Sequence, residues 1–561
     1  MTRQDTRPAD EVLAPAEMGA CRYTRHSFAR SFLRAAAARR WQVTRERWEM
    51  DSAGRGEAVY RIRAEGRVWH FVAFSTTIRE DQRTDRVVAE AWDVTAALVD
   101  GPVDTERLAD LRVQVPRQEQ GRADAGTLVW TRANRSQRFF DYVVGRLAAG
   151  SQPDPSELGD AAYLLRSTAF YSNGKFGLAE FERIDAGHPL RISYRSQMLA
   201  AWLLRELSYD LVEHCARVRN PAAAALSGDW RRYFGLGNAT GLGMVPYVIN
   251  HPHVLDAWCT ARELPLAYAL AQPTSPESPR TDRVLELLAR ARDYFAERDT
   301  LPTEPYLSGA AMAGGLAGVI EPATEYARTG TVAGKATGHA WRALYRAAGG
   351  PEIRGVVGSV LVETYDELDD EVEELLRCEE VLAVRPAQSC GALRELVDRA
   401  YGWVGRFDFA DRKAQAYFWF SSENNEEPRR GRRGIDPGAE VEHPIDVARA
   451  VAALREDLVT AAPDRLVAEF LLAHPWHRGA IARVQSLASL PYAEVRANLL
   501  GEDFVPLHVQ RFQLAMYGME NYSPQSTDWL RVTLFSGAPR ATDVATGIDD
   551  DWIFSRKPGK D

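Results

Sequence analysis

The chain has 561 residues, of which 45% are hydrophobic and 26% are charged, so it can bury a large core and form more than one domain. Its formal net charge of −9 disfavours a protein that binds nucleic acid non-specifically, because such proteins are normally basic. Five cysteines lie far apart without a CxxC pair, which argues against a disulfide framework and a structural zinc. No run of about 18 apolar residues occurs, so we expect a soluble, cytoplasmic protein.

The first 150 residues carry the period-two alternation of apolar side chains that is typical of strands. Residues 58–75 alternate on both sides of Glu65-Gly66, which predicts a β-hairpin with a tight turn. A further strand is predicted at 127–131, and a helix at 87–99. We therefore predict an α+β N-terminal domain over residues 1–150.

After residue 150 the pattern changes. The segment GSQPDPSELGD (150–160) predicts a linker, because it combines two prolines with several turn-forming residues. Helical periodicity follows it; the leucines of 195–217, for example, recur at i, i+4 along one face. The predicted fold is therefore mostly α. A predominantly helical domain over 151–540 carries the glycine-rich and arginine-rich loops, and residues 541–561 form a C-terminal tail.

The segment FGLGNATGLGMVPYVINHP (234–252) combines four glycines with polar residues and ends at Pro252. It predicts a loop between helices, where exposed backbone N–H groups approach an anionic ligand. A tight crossing of two helices is the alternative. The segment matches neither a Walker A loop nor a dinucleotide fingerprint. Its candidate substrate-binding residues are Asn238, Gly241, Gly243 and Asn250, and its candidate catalytic residues are Thr240 and His251.

Part of this loop, GMVPYVINHP, resembles the signature loop of the fumarase/aspartase superfamily, G-S-x-x-M-P-x-K-x-N-P, whose members are largely helical. The family's catalytic serine has no counterpart here beyond Thr240, and its lysine falls on Val248. The resemblance covers this loop alone, and we assign no family from it.

Two further segments supply charged candidates. In YFWFSSENNEEPRRGRRG (417–434) an aromatic run leads into three glutamates and four arginines, and arginine forks match carboxylate and phosphate geometry. We predict that Arg429 and Arg432 bind an anion and that Glu427 performs acid–base work; the alternative is a surface loop of self-compensating charges. Lys175, in the short glycine loop SNGKFG, is a further substrate-binding candidate or an ordinary exposed lysine.

Histidines occur at two places with a spacing suited to metal ligation. Asp210 and His214 are one helical turn apart, and His474 and His477 flank Trp476. The first pair also suits a solvated helix face and the second a helix-end turn, since no carboxylate lies near the second pair in sequence. We predict no metal site, and the sequence identifies no cofactor.

These features indicate an enzyme that acts on a small carboxylate- or phosphate-bearing metabolite by acid–base chemistry, such as elimination by a lyase, isomerisation or hydrolysis. The reaction class follows by elimination, because no nucleophile elbow, zinc motif or dinucleotide fingerprint is present. The alternative is a non-catalytic binding or scaffold protein whose arginine-rich loop docks an acidic or nucleic-acid partner. The negative charge makes nucleic acid the less favoured partner; no membrane partner is expected, and a homo-oligomer is left open.

Overall fold

The computed structural model describes residues 5–14, 17, 25–79, 91–117, 126–159, 161–172, 185, 187–240, 252–298, 307–377, 383–410, 444–486, 489–493, 514–526, 529–547, 552–555 and 558–559. Within these ranges, side chains are described except at 168–172, 238–240, 444–446 and 519–531.

The described strands are β1 (Gln42–Met50), β2 (Gly56–Ala64), β3 (Arg67–Ser75), β4 (Val94–Asp100), β5 (Thr127–Arg135), β6 (Tyr163–Ser172), β7 (Gly235–Thr240), β8 (Thr331–Val332), β9 (Lys335–Ala336), β10 (Met519–Ser526) and β11 (Trp529–Leu534). The described helices are α1 (Ala9–Val12), α2 (Phe28–Ala38), α3 (Thr105–Gln114), α4 (Phe140–Ala148), α5 (Pro155–Leu158), α6 (Arg195–Arg219), α7 (Gly228–Tyr233), α8 (Pro252–Ala271), α9 (Pro279–Ala296), α10 (Gly309–Thr329), α11 (Ala340–Ala347), α12 (Pro351–Thr364), α13 (Asp369–Leu375), α14 (Cys390–Tyr401), α15 (Pro444–Thr460), α16 (Val467–Ala473), α17 (Arg478–Ser486) and α18 (Ala541–Thr546).

The chain divides into two compact units, and neither is a single stretch of sequence. The first unit comprises residues 1–20, 242–269 and 366–512, and the second comprises 21–241, 270–365 and 513–561. The predicted boundaries at 150 and 540 both lie within the ranges of the second unit.

A nine-stranded sheet organises the second unit, with the strand order β1-β2-β3-β4-β5-β6-β7-β11-β10. Neighbouring strands are antiparallel except for β6 and β7, which are parallel. The predicted hairpin is confirmed as β2 and β3, whose register pairs Ala64 with Arg67. Glu65 and Gly66 have φ angles of 52° and 77°, the left-handed values that a two-residue hairpin turn of type I′ requires.

The long helix α6 forms much of the core of the second unit. Its predicted apolar stripe is buried, including Leu199, Leu203, Leu207 and Leu211. The side chain of Arg205 is also fully buried and donates to the backbone carbonyls of Phe234, Arg231, Arg232, Ala538 and Pro539. Because its hydrogen bonds are accepted by backbone carbonyls of 231–234 and of 538–539, this buried guanidinium ties α6 to two chain segments that are far apart in sequence.

The prediction of a mostly α fold is wrong: the architecture is mixed α and β. Strands β6, β7, β10 and β11 all come from residues after 150, and β6 pairs directly with β5. The helix predicted at 87–99 is wrong over its second half, since residues 94–99 belong to strand β4. Strands β7 and β10 lack apolar–polar alternation, since β7 reads GLGNAT and β10 reads MENYSPQS with an internal proline. Their pairing partners, and not their own periodicity, make them strands.

The described part of the first unit is helical. Helices α14, α15 and α17 pack against one another around buried apolar side chains that include Leu393, Val451 and Ile481. The Ser389 hydroxyl caps α14 by accepting a hydrogen bond from the Ala392 N–H. Across both units, none of the described helices is long and apolar enough to cross a lipid bilayer.

Candidate functional site

Two of the predicted site residues lie on strand β7 in the second unit. Asn238 is in register with Ser167 of β6 and Val532 of β11, and Thr240 is in register with Leu530. The prediction that the glycine-rich segment is a loop from its start is therefore wrong, since residues 235–240 are paired on both edges of the strand.

The other predicted site residues fall outside the part of the chain that the structure describes, and their roles stay predictions. They are Lys175, Gly241, Gly243, Asn250, His251, Glu427, Arg429 and Arg432.

The first glycines of this segment are required by packing. A Cβ atom at Gly235 would lie 2.6 Å from the carbonyl oxygen of Leu534 and 2.7 Å from the Ser536 hydroxyl. A Cβ atom at Gly237 would overlap the ring of Tyr163. At these two positions the absent side chain admits a neighbour on the sheet, which is a structural and not a ligand-binding use of glycine.

The Asp210 and His214 pair of α6 also has a structural role. The Asp210 carboxylate accepts a hydrogen bond of 2.7 Å from the Tyr60 hydroxyl and pairs with Arg45 at 3.0 Å. The His214 ring contacts the backbone carbonyl of Asp51 at 2.7 Å through Nε2. The two side chains thus hold α6 against β1 and β2 instead of converging on a shared ligand.

A cleft of about 700 Å³ in the second unit is lined partly by α9 and by residues 552–555 and 558–559. Its charged side chains are three carboxylates and two arginines: Asp229, Glu286, Asp293, Arg232 and Arg290. Both arginines donate to backbone carbonyls, those of Gly537 and Ile553. Because the carboxylates outnumber the arginines, this cleft does not favour an anionic ligand.

Helix α8 of the first unit follows directly after the glycine-rich segment and carries an unusual polar stripe. The helix is buried on every side between Val254 and Glu263, since each residue of that stretch is buried. Besides Arg262, four polar residues nevertheless recur along it, and they are His253, Asp256, Thr260 and Glu263. At 3.6 residues per turn these positions fall within about 80° of one another around the helix axis. They therefore share one face of a buried helix.

Glu263 is the most strongly paired member of this stripe. Its carboxylate is fully buried and receives two hydrogen bonds of 2.8 Å from the guanidinium of Arg7, in a bidentate arrangement. Arg262 adds a contact of 3.2 Å. Burial alone would raise the pKa of Glu263, but the charges and hydrogen bonds of Arg7 and Arg262 outweigh it and lower that pKa, so the carboxylate is ionised.

The three remaining members differ in how their polar atoms are satisfied. The Asp256 carboxylate accepts a hydrogen bond of 3.0 Å from the Tyr492 backbone N–H, and the Tyr492 hydroxyl in turn donates to the Arg7 carbonyl. Within the described structure, neither the Thr260 hydroxyl nor the His253 Nδ1 has a hydrogen-bond partner, although both atoms are buried. Such atoms are costly to bury unpaired, and a ligand or an ordered water can satisfy them.

The sequence contained a signal for this stripe that periodicity analysis passed over. In PHVLDAWCTARELPLAYALA the polar residues at 253, 256, 260 and 263 follow the same spacing that normally marks an apolar face. The pairing of Glu263 with Arg7 could not be foreseen, because the two residues are separated by 256 positions in the chain.

No protein-family model, curated protein or solved structure matches this chain at a significant level.

Proposed function

We propose that this protein is an enzyme that acts on a small anionic metabolite, bearing a carboxylate or a phosphate, by acid–base chemistry. Elimination, isomerisation and hydrolysis are the reaction classes that remain, because the sequence carries no nucleophile elbow and no dinucleotide fingerprint. We further propose that it works in the cytoplasm.

The observation that carries the proposal is the polar stripe of α8. Charged and polar side chains inside a helical core are expensive unless they are paired, so each unpaired polar atom there calls for an explanation. The stripe combines an ion pair that is fully satisfied, Glu263 with Arg7, and two polar atoms that are not, on Thr260 and His253. An ion pair that is fixed in place, next to polar atoms that lack partners, suits the binding of a polar ligand.

Each group of the stripe has a chemical use in this proposal. The Thr260 hydroxyl both donates and accepts, so it can bind an anionic oxygen or a substrate hydroxyl. The imidazole of His253 can accept or donate through Nδ1, and His251 lies two positions earlier in the sequence as the proposed acid–base group. Glu427 is the second proposed acid–base group, and Arg429 and Arg432 are proposed to hold the anion.

The alternative is a non-catalytic protein whose arginine-rich loop docks an acidic partner. The arginines concerned lie outside the described residues, and no contact in the described part of the chain favours that alternative over the enzyme. An acidic partner would bind through exposed arginines and would leave the buried stripe without a role.

The proposal is tested by a thermal-shift screen of the full chain against carboxylate and phosphate metabolites. A compound that binds only the native state must raise the melting temperature. We expect at least one such compound, and we expect calorimetric titration with it to show weaker binding by Arg429→Ala and Arg432→Ala at unchanged stability. Losing a bidentate arginine from a desolvated pair costs about 2–5 kcal/mol, whereas losing an exposed ion pair costs less than about 1 kcal/mol. A loss of binding free energy of less than about 1 kcal/mol would show that these arginines are ordinary surface residues.

A further inference from the structure

A carboxylate and two imidazoles meet in the first unit, away from the residues used above. Asp457 lies near the end of α15, His474 follows α16 directly, and His477 ends the 3₁₀ turn Pro475–His477. The Asp457 Oδ2 atom is 2.7 Å from His477 Nε2 and 3.3 Å from His474 Nδ1. One potential ligand atom from each residue lies within 4.8 Å of the other two. The carboxylate that the histidine pair lacks in sequence is thus supplied by the preceding helix.

The two imidazoles are held in place by one aromatic ring. Phe470 is fully buried, and its ring stacks on His474 with centroids 4.5 Å apart and on His477 with centroids 5.9 Å apart. The interplanar angles are 20° and 15°, so all three rings are nearly parallel. His477 is itself only 2% exposed. Stacking on Phe470 therefore restrains the orientation of both imidazoles, which favours a preorganised ligand set.

The hydrogen bonds within this cluster do not satisfy all of its ring nitrogen atoms. The His474 Nδ1 atom is buried, and its contact with the Asp457 carboxylate at 3.3 Å lacks the alignment of a hydrogen bond. The His477 Nε2 atom has two neighbours, the Asp457 Oδ2 atom at 2.7 Å and the indole N–H of Trp476 at 3.0 Å. A single ring nitrogen either donates to the carboxylate or accepts from the indole, but not both.

We propose that Asp457, His474 and His477 bind one divalent cation of the zinc type. Two imidazoles and one carboxylate suit Zn²⁺ and its first-row neighbours, whereas Mg²⁺ and Ca²⁺ prefer an all-oxygen set. Bonds of about 2.0–2.1 Å in a tetrahedral site place ligand atoms about 3.3 Å apart. The contact between Asp457 and His474 already has that length, and the contact between Asp457 and His477 opens slightly on binding.

Solvent reaches this site, so water can complete the coordination. The side chains of Asp457 and His474 are 37% and 25% exposed. Trp476 is 68% exposed, so its indole N–H can swing away from His477 Nε2 when the cation arrives. A site with three protein ligands and one open position is the arrangement of catalytic zinc centres. The inference does not depend on the proposed function, since none of its residues belongs to the α8 stripe.

The test uses the full chain after dialysis against a chelator, titrated with Zn²⁺ by calorimetry and with Co²⁺ by visible absorption. We expect one ion per chain, Co²⁺ bands of a four-coordinate site, and no displacement by millimolar Mg²⁺. Asp457→Asn and His474→Gln should each weaken binding by at least about 100-fold. These two ligands are chosen because they are partly exposed, so that their loss spares the fold.

Three control variants separate this site from others. Trp476→Phe removes the indole N–H that competes for His477 Nε2 and should bind Co²⁺ at least as tightly as the parent. His214→Gln and His339→Gln each remove a histidine from the second unit and should leave the affinity unchanged. The inference is overturned if the parent binds neither ion, or if His474→Gln and Asp457→Asn bind with the affinity of the parent, because any ion is then held elsewhere.

Discussion

The guanidinium of Arg7 and the carboxylate of Glu263 form a bidentate ion pair with two nitrogen–oxygen distances of 2.8 Å. The carboxylate is fully buried, and the side chain of Arg7 is 15% exposed. This pair joins the N-terminal segment of the first unit to helix α8, and Arg7 also contacts Glu17 at 3.2 Å. The pair thereby holds Glu263, the last residue of the polar stripe on which the proposed function depends.

Replacement of Arg7 should destabilise the first unit strongly. Arg7→Met leaves the buried Glu263 carboxylate with Arg262 as its nearest charge, and breaking a buried pair in this way costs about 3 kcal/mol. The matched control is Arg455→Ala, which breaks an ion pair with Asp398 whose members are 41% and 45% exposed, and which should cost less than about 1 kcal/mol. Urea unfolding of the two variants measures the difference. Equal losses would show that the Arg7 pair is no more important than a surface pair.

Glycine at 237 should be irreplaceable for reasons of space. In Gly237→Ala the new methyl group overlaps the Tyr163 ring, and such overpacking costs about 1–3 kcal/mol. The control is Gly318→Ala in helix α10, where a Cβ atom meets no atom within 4 Å and alanine should stabilise the helix by about 0.5–1 kcal/mol. Thermal unfolding should thus shift in opposite directions for the two variants. Equal shifts would contradict the close packing of β7.

Stability should fall as the pH decreases below neutrality, partly because of His26. Burial, with the charges of Arg34 and Arg25, holds the pKa of His26 well below its ordinary value of about 6.5. The ordinary pKa of about 6.5 applies to His26 in the unfolded chain, and the lowered pKa applies to it in the folded chain. At a pH between these two values the unfolded chain binds a proton that the folded chain does not. The free energy of unfolding therefore decreases as the pH falls through about 6.5. One such group contributes a slope of up to about 1.4 kcal/mol per pH unit.

The measurement is the free energy of unfolding at several pH values between 7 and about 5 for the parent and for His26→Gln. The variant is expected to have a shallower slope, whatever its stability at pH 7, because it carries no titrating group at this position. A variant slope equal to that of the parent would show that His26 does not titrate differently in the folded and unfolded chains.

The sequence predicts those parts of the fold in which the periodicity of the side chains is clear and no other local signal contradicts it. The hairpin of β2 and β3 combines alternating Tyr60 and Ile62 with a Glu65-Gly66 turn, and α6 combines a leucine stripe with a buried environment. Strand β7 could not be predicted, because its glycines are selected by the ring of Tyr163 and by β11, which lie far away in sequence.

The same limit applies to the candidate sites. The polar positions of α8 are visible in sequence, but their meaning depends on the helix being buried all round and on Arg7. The pair His474 and His477 was visible as well, whereas Asp457 joins it only because α15 packs beside the turn that follows α16. In each case one partner of the contact can be recognised in the sequence, whereas the other is brought near it only by the tertiary fold.

The central claim, that the stripe of α8 binds an anionic metabolite, is tested most directly by Thr260→Val. We would record the unfolding free energy of the parent and the variant, and their melting-temperature shifts with a panel of carboxylates and phosphates. Removing a buried hydroxyl that lacks a partner should leave the protein as stable as the parent or more stable by about 1 kcal/mol, while the ligand-induced shift disappears. Ser359→Ala, which removes a buried hydroxyl that bonds the Gly355 carbonyl, should keep the shift. The claim is contradicted if no compound shifts the parent, or if Thr260→Val shifts as much as the parent does.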